Sequence, residues 1–276
     1  MNLYQTIESL ENTCPDSLCK SKENIKYPVA EHVKYYSNTC KMERWFNILL
    51  PPDYDSSKKY PVCYALHGIM CNEFMFLQKE NSLEQIFTNL IEQKLTKEMI
   101  VVFPDIFART DPALEQSFTI PVFKAYDNFI NELTDDLMPY IQKNYSVLTG
   151  KENTALVGFS MGGREAIYIG LTRPDLFDYV GAISPAPGLL PSRDKFAEHY
   201  GMFTPQTFKY QKDDKAKFFM ICTGDDDKVV VHFPKSYHDE LIKNNVEHLF
   251  FEVKGADHNE IAIKSGLYHF WQAAFK

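Results

Sequence analysis

The apolar run Ala155-Leu156-Val157 leads into Gly158-Phe159-Ser160-Met161-Gly162 and then into the small, helix-compatible stretch Gly163-Arg164-Glu165-Ala166. A strand that passes through Gly-x-Ser-x-Gly straight into a helix is a nucleophile elbow, a turn so tight that the serine takes up strained backbone geometry. Only residues without bulk at the flanking positions let the helix pack back on its strand, and Gly158 and Gly162 meet that need. The turn constrains the whole chain, because it calls for an open sheet with helices packed on it and the serine hydroxyl raised at a strand's carboxyl end.

The order of patterns along the chain fits such a sheet. His32 to Tyr36 and Trp45 to Leu50 read as a β-hairpin, ended by Pro51-Pro52. Strand-like runs then follow at Val62 to Leu66, Met99 to Phe103, Ala155 to Phe159, Tyr179 to Ser184, Phe218 to Thr223 and His248 to Val253. Between them helical patterns start at Ser82 and Met161, cover Ala125 to Asn144 and Pro234 to Asn244, and close the chain through Trp271. In the middle helix Ile130, Leu133, Leu137 and Ile141 recur at helical spacing and form a core stripe. The alternation predicts an α/β fold with a mostly parallel central sheet and helices on both faces. Residues 1–26 are polar and irregular and read as an N-terminal arm lying on a single catalytic domain, residues 27–276.

With 29 basic and 37 acidic side chains the formal charge is −8. No Lys/Arg cluster with interleaved aromatics could follow a phosphate backbone, so nucleic acid is excluded as a partner. No segment approaches the ~20 apolar residues of a membrane span. Met1 to Thr6 has neither the basic nor the apolar region of a secretory signal, which leaves an intracellular protein and one with its signal removed as the two expectations. Cys63 and Cys222 fall in apolar runs and read as buried hydrophobes, whereas Cys14, Cys19 and Cys40 lie in the polar N-terminal stretch. A bridge among the latter suits only an oxidising compartment. No Cys/His spacing matches a zinc site, so no metal is expected. The pattern sets no oligomeric state.

A serine hydroxyl is a weak nucleophile until a base takes its proton, so Ser160 calls for a histidine and a carboxylate at neighbouring strand ends. Phe218 to Thr223 is followed at once by Gly224-Asp225-Asp226-Asp227, and His248 to Val253 by Gly255-Ala256-Asp257-His258. The order Ser160, Asp227, His258 is that of α/β hydrolases. Asp225 and Asp226 are the neighbouring alternatives to Asp227, and a calcium loop is disfavoured because no EF-hand spacing is present. His32, His232, His238 and His269 read as surface or packing residues. The anion formed on attack needs two preorganised N–H donors; Met161, directly after the serine, and Ile69, in Leu66-His67-Gly68-Ile69, are the candidates. His67 is expected to organise that loop by hydrogen bonding.

With these motifs, and with Tyr35-Tyr36-Ser37, Leu50-Pro51-Pro52-Asp53-Tyr54, Lys59-Tyr60-Pro61-Val62 and Ile183-Ser184-Pro185-Ala186-Pro187, the chain resembles the feruloyl esterases of carbohydrate esterase family one. The resemblance covers about residues 27 to 274 and extends to esterase D-type thioesterases and mycolyltransferases. It implies an α/β-hydrolase fold, a cofactor-free serine esterase, and Ser160, Asp227 and His258 as nucleophile, acid and base, with Ile69 and Met161 as oxyanion donors. It also implies secretion and, as substrates, feruloylated arabinoxylan or small hydroxycinnamate esters. Met70-Cys71 and Asn259-Glu260 depart from the family pattern at the pocket rim. Phe74, Phe107, Phe118 and Pro187, on loops near strand ends, are candidates with Met70 for the walls of an aryl slot. Acetyl xylan esterase, S-formylglutathione hydrolase-like thioesterase, acyltransferase and non-catalytic carbohydrate-binding protein are the alternatives.

Overall fold

The computed structural model describes residues 2–276. An eight-stranded sheet is assembled from β1 (Glu31–Ser37), β2 (Met42–Leu49), β3 (Val62–Leu66), β4 (Ile100–Pro104), β5 (Thr154–Phe159), β6 (Tyr179–Ile183), β9 (Phe218–Gly224) and β10 (Leu249–Val253). The strands lie in the order β1-β2-β4-β3-β5-β6-β9-β10. β1 and β2 pair antiparallel with each other, and β2 with β4; every other pairing in the sheet is parallel. The chain runs outward from β3 to β4 and then returns to the other side of β3 with β5, so a crevice opens at the carboxyl ends of β3 and β5.

Every residue of β3, β4, β5 and β6 is buried, as expected for parallel strands covered on both faces. Alternate side chains serve opposite layers: Val62, Tyr64 and Leu66 pack with α3 (Ile120–Asp127), α4 (Phe129–Glu132), α5 (Met138–Asn144), α6 (Met161–Thr172) and α7 (Phe233–Lys243). Cys63 and Ala65 face α1 (Leu3–Glu8), α2 (Leu83–Glu92) and α8 (Glu260–Ala273). No helix among the described residues is long and apolar enough to cross a membrane.

Three departures from the sequence reading have local causes. The N-terminal stretch, read as irregular, contains α1, started by a reciprocal Asn2–Gln5 capping box and anchored through buried Ile7. The arm continues across α8 and β10, where the Asn12 side chain donates to Glu252 O (2.8 Å) and accepts from Lys254 N (2.8 Å). The middle helix is not continuous: α3 starts at Ile120 with Pro121 in its first turn, and a π turn over Leu133–Leu137 separates α4 from α5. Pro139 lacks an N–H and its ring crowds the carbonyl one turn back, so the wider turn lets the helix pass it. Ile130, Leu133, Leu137 and Ile141 are nevertheless all buried. Finally, β7 (Ser192–Arg193) and β8 (Glu198–His199) form a small separate hairpin that the pattern did not announce.

The π turn region also holds two buried carboxylates against the β1–β2 hairpin. Glu132 accepts from Tyr35 Oη (2.7 Å) and Arg44 Nε (2.9 Å), and Asp136 accepts from Ser37 Oγ (3.0 Å) and Thr39 N (2.9 Å). Arg44 reaches further, donating from Nη1 to Asp105 Oδ2 (3.0 Å) and from Nη2 to Asp105 O (2.7 Å) at the end of β4. Removing one member of a buried ion pair strands the other charge. Arg44→Met is therefore expected to destabilise the fold by about 3–5 kcal/mol in urea unfolding, whereas Tyr35→Phe costs only about 1 kcal/mol.

Candidate active site

At the end of β5 the chain turns through Ser160, whose φ of 57° and ψ of −116° lie where L-residues are strained. Such a conformation costs about 1–3 kcal/mol and persists only where the surroundings hold it. Here Ser160 N donates to Ile183 O (2.9 Å), and Ser160 O accepts from Arg164 N (3.0 Å) and Ala186 N (2.9 Å). A Cβ on Gly158 would stand 2.1 Å from Gly162 O, and one on Gly162 would stand 2.0 Å from Leu66 O. No side chain fits at either place, so the two glycines are fixed by the close approach of backbone to backbone.

β9 and β10 bring the acid and the imidazole together. His258 Nδ1 lies 2.8 Å from Asp227 Oδ2, while Asp227 Oδ1 accepts from Val229 N and Val230 N, both at 3.0 Å. Burial acts to raise the Asp227 pKa, but the bond and charge of His258, with Val230 N–H, hold it below the usual carboxylate value. Since Nδ1 must donate to the carboxylate, Nε2 of the neutral ring keeps its lone pair. The neighbouring acids are used elsewhere: Asp225 Oδ1 accepts from Gly255 N (2.8 Å), and Asp226 pairs with Lys228 (2.9 Å) in solvent. Asn259, which departs from the family pattern, caps α8 by accepting from Ile261 N (3.1 Å). Among the described residues no hydrogen bond joins Ser160 to His258, a contact that commonly tightens only with substrate.

Across the crevice the loop after β3 is held by His67, which is buried. Its Nδ1 donates to Gly68 O (2.7 Å), and its Nε2 lies 2.9 Å from Ile106 N and 3.2 Å from Asp105 Oδ1. Gly68 C=O and Ile69 N–H belong to one planar peptide, so the bond from His67 sets the direction in which Ile69 N–H points. Neither Ile69 N–H nor Met161 N–H donates to any acceptor among the described residues. Asp105 links this loop to the hairpin network, accepting from Phe107 N (2.9 Å) and pairing with Arg44. Burial works against its ionisation, yet His67, Arg44 and Phe107 N–H bring its pKa down to about 2.

Ser160 opens into a narrow cavity of about 40 Å³ lined mostly by apolar and aromatic side chains. The wall candidates Phe118 and Pro187 line it together with Ser160, Ile69 and Met161, and Phe123, Ala186, Phe196, His199, Asp194, Val229 and Val230 complete it. Three candidates, Phe107, Phe74 and Met70, are not among the lining residues. Phe107 is buried against Tyr126, ring centroids 5.3 Å apart. Phe74 packs on His32 (4.8 Å), and Met70 is 56% exposed with a φ of 63°. The wall that sequence reasoning missed is the β7–β8 hairpin, whose tip carries Phe196 stacked on Phe118 at 4.1 Å and 11°. Its signal was Asp194 between Gly188 and Gly201: Asp194 Oδ1 accepts from Phe196 N and Ala197 N, both at 2.7 Å, in an Asx turn.

A family model described as "Putative esterase" matches residues 37–269. A CE1 ferulic acid esterase from Anaeromyces mucronatus, solved in complex with ferulic acid, is 46% identical, with a TM-score of 0.92 over 97% of this chain and 98% of that one. The chain belongs to this family of CE1 esterases. An endo-1,4-β-xylanase/feruloyl esterase of Xylanibacter ruminicola is 32% identical over 169 residues, 59% of this esterase. The match spans only 22% of that longer protein. An S-formylglutathione hydrolase from Staphylococcus aureus, 18% identical with a TM-score of 0.64 over 90% of the chain, shares the fold.

The depressed Asp105 pKa has a stability consequence. A carboxyl at about 2 in the folded esterase and ~3.9 unfolded adds stability that is complete above ~3.9 and lost as pH falls towards about 2. In urea unfolding, Asp105→Asn is expected to be less stable than the parent at pH 6, with a gap that narrows by on the order of 2 kcal/mol as pH falls towards 2.

Proposed function

We propose that this esterase cleaves hydroxycinnamoyl esters by way of a covalent acyl-enzyme, with feruloylated arabinoxylan or its small fragments as the substrate class. The observation that carries the reading is a strained serine lining an aromatic-walled cavity together with Ile69 and Met161, whose N–H groups have no acceptor among the described residues. The flat wall formed by Phe118 and Phe196, with Pro187 and Phe123, suits a planar aryl acyl group better than a short acetyl. The 46% identity to an esterase that holds ferulic acid points the same way.

In this mechanism His258 Nε2 takes the proton of Ser160 as its oxygen bonds to the ester carbonyl carbon, and Asp227 offsets the charge of the imidazolium. The carbonyl oxygen becomes an anion held by Ile69 N–H and Met161 N–H, worth about 2.7–4 kcal/mol per donor in related sites. The C–O bond to the alcohol breaks as His258 returns the proton to the leaving oxygen. Water then repeats the sequence, with His258 as base, and releases the carboxylic acid. No step requires a cofactor.

Ser160→Ala is expected to lower kcat by about 10⁶ with the fold intact, and a fluorophosphonate should label the parent at Ser160 alone. His67→Gln should cut kcat by about 10–10²-fold with little change in KM, because it frees the Ile69 peptide to rotate. Comparison of methyl ferulate, p-nitrophenyl acetate and S-formylglutathione tests the acyl preference. Phe118→Ala should raise KM for methyl ferulate several-fold and leave the acetyl ester unaffected; faster turnover of the glutathione thioester than of methyl ferulate would sink the reading.

A further inference from the structure

Cys14 and Cys19 bracket the turn Pro15-Asp16-Ser17-Leu18, in which Leu18 N donates to Pro15 O (2.9 Å) and Cys19 N to Asp16 O (3.1 Å). The turn brings their sulfurs into contact at 3.9 Å, and both residues are half-buried. The segment between them spans two helices. Cys14 N donates to Ser265 Oγ of α8 (3.1 Å), and Leu18 O accepts from Asn89 Nδ2 of α2 (2.8 Å), with the Leu18 side chain buried beneath.

We propose that Cys14 and Cys19 form a reversible intrachain disulfide that staples the N-terminal arm across α2 and α8, with a small-molecule disulfide such as oxidised glutathione as the oxidant. The Cys19 thiolate attacks one glutathione sulfur, breaking the S–S bond and releasing a glutathione thiolate. The Cys14 thiolate then attacks Cys19 Sγ and displaces the second glutathione. The protein loses two protons and two electrons, and one oxidised glutathione becomes two reduced molecules. Cys19 is suited to the first attack, since the hydrogen bond from Cys14 outweighs burial and brings its pKa down to about 7. The other cysteines lack such a neighbour: Cys40, Cys63 and Cys222 are buried, and burial pushes their thiols up.

The test is to equilibrate the purified protein with oxidised glutathione, quench with iodoacetamide and map peptides by mass. The expected product carries a single internal bond in the peptide ending at Lys20, two hydrogens lighter than the reduced peptide, with Cys14 and Cys19 both unalkylated. Its Tm should rise by about 2–4 °C over the reduced form, reversibly with dithiothreitol, while turnover of a small ester stays within twofold. Cys14→Ser should abolish the rise and leave Cys19 holding one glutathione that cannot be displaced. Full alkylation of both thiols after oxidation would overturn the proposal, as would a bond from either one to Cys40 or Cys71. Because the readouts are mass and Tm, the outcome is independent of the esterase reading.

Discussion

Three backbones meet at the end of β5 at distances that allow no side chain between them. Gly158 faces Gly162 across the elbow, and Gly162 faces Leu66 at the end of β3. This contact makes β3, β5 and α6 a single rigid unit, and it is what brings the loop carrying Ile69 up to Ser160. A Cβ on Gly68 would lie 3.3 Å from Ser160 Cβ, so the loop after β3 and the serine are close neighbours. The strain at Ser160 is held by three backbone hydrogen bonds from β6, α6 and the loop after β6. Rigid elements thus fix the position of the serine oxygen, as preorganised stabilisation of a developing anion requires.

Buried charge surrounds this unit on two sides. Arg44, Glu132 and Asp105 tie the edge hairpin to the loop after β3 through His67. Behind the elbow, Arg164 pairs with Asp127 (2.7 Å) and with Glu165, and burial pushes the Glu165 pKa up despite its cationic neighbour. Arg164 Nε, Glu132 Oε2 and Glu165 Oε2 are buried without a hydrogen-bond partner among the described residues. Replacing such ion pairs with apolar side chains often stabilises a protein, so pairs of this kind are poorly explained by stability alone. Their directional bonds hold the peptide planes and helix starts beside Ser160 in one arrangement.

The catalytic candidates were legible because each is announced by local chain chemistry. Gly158 and Gly162 mark the elbow, and Asp227 and His258 stand on the short loops that follow β9 and β10, at the ends where an open sheet gathers its functional side chains. The choice among Asp225, Asp226 and Asp227 was not local. It was decided by the reach of His258 Nδ1, and by the turn in which Val229 N–H and Val230 N–H face Asp227 alone. Met70, Phe74 and Phe107 share loops with functional residues, and a one-dimensional pattern cannot say which way a loop residue turns. Phe107 turned inward because Asp105 binds its N–H and Tyr126 offers it a ring.

The sequence by itself determined the alternation of the sheet strands with most of the helices and the elbow around Ser160, because steric exclusion at glycine and apolar periodicity act over a few residues. Only the tertiary structure decided the cavity walls. Phe118 and Phe196 are separated by most of the chain's middle third yet stack at 4.1 Å, and Phe123, Val229 and Val230 join them from α3 and from the loop after β9. Such a surface arises from the packing of separate elements, whose relative placement depends on long-range burial that no short segment encodes.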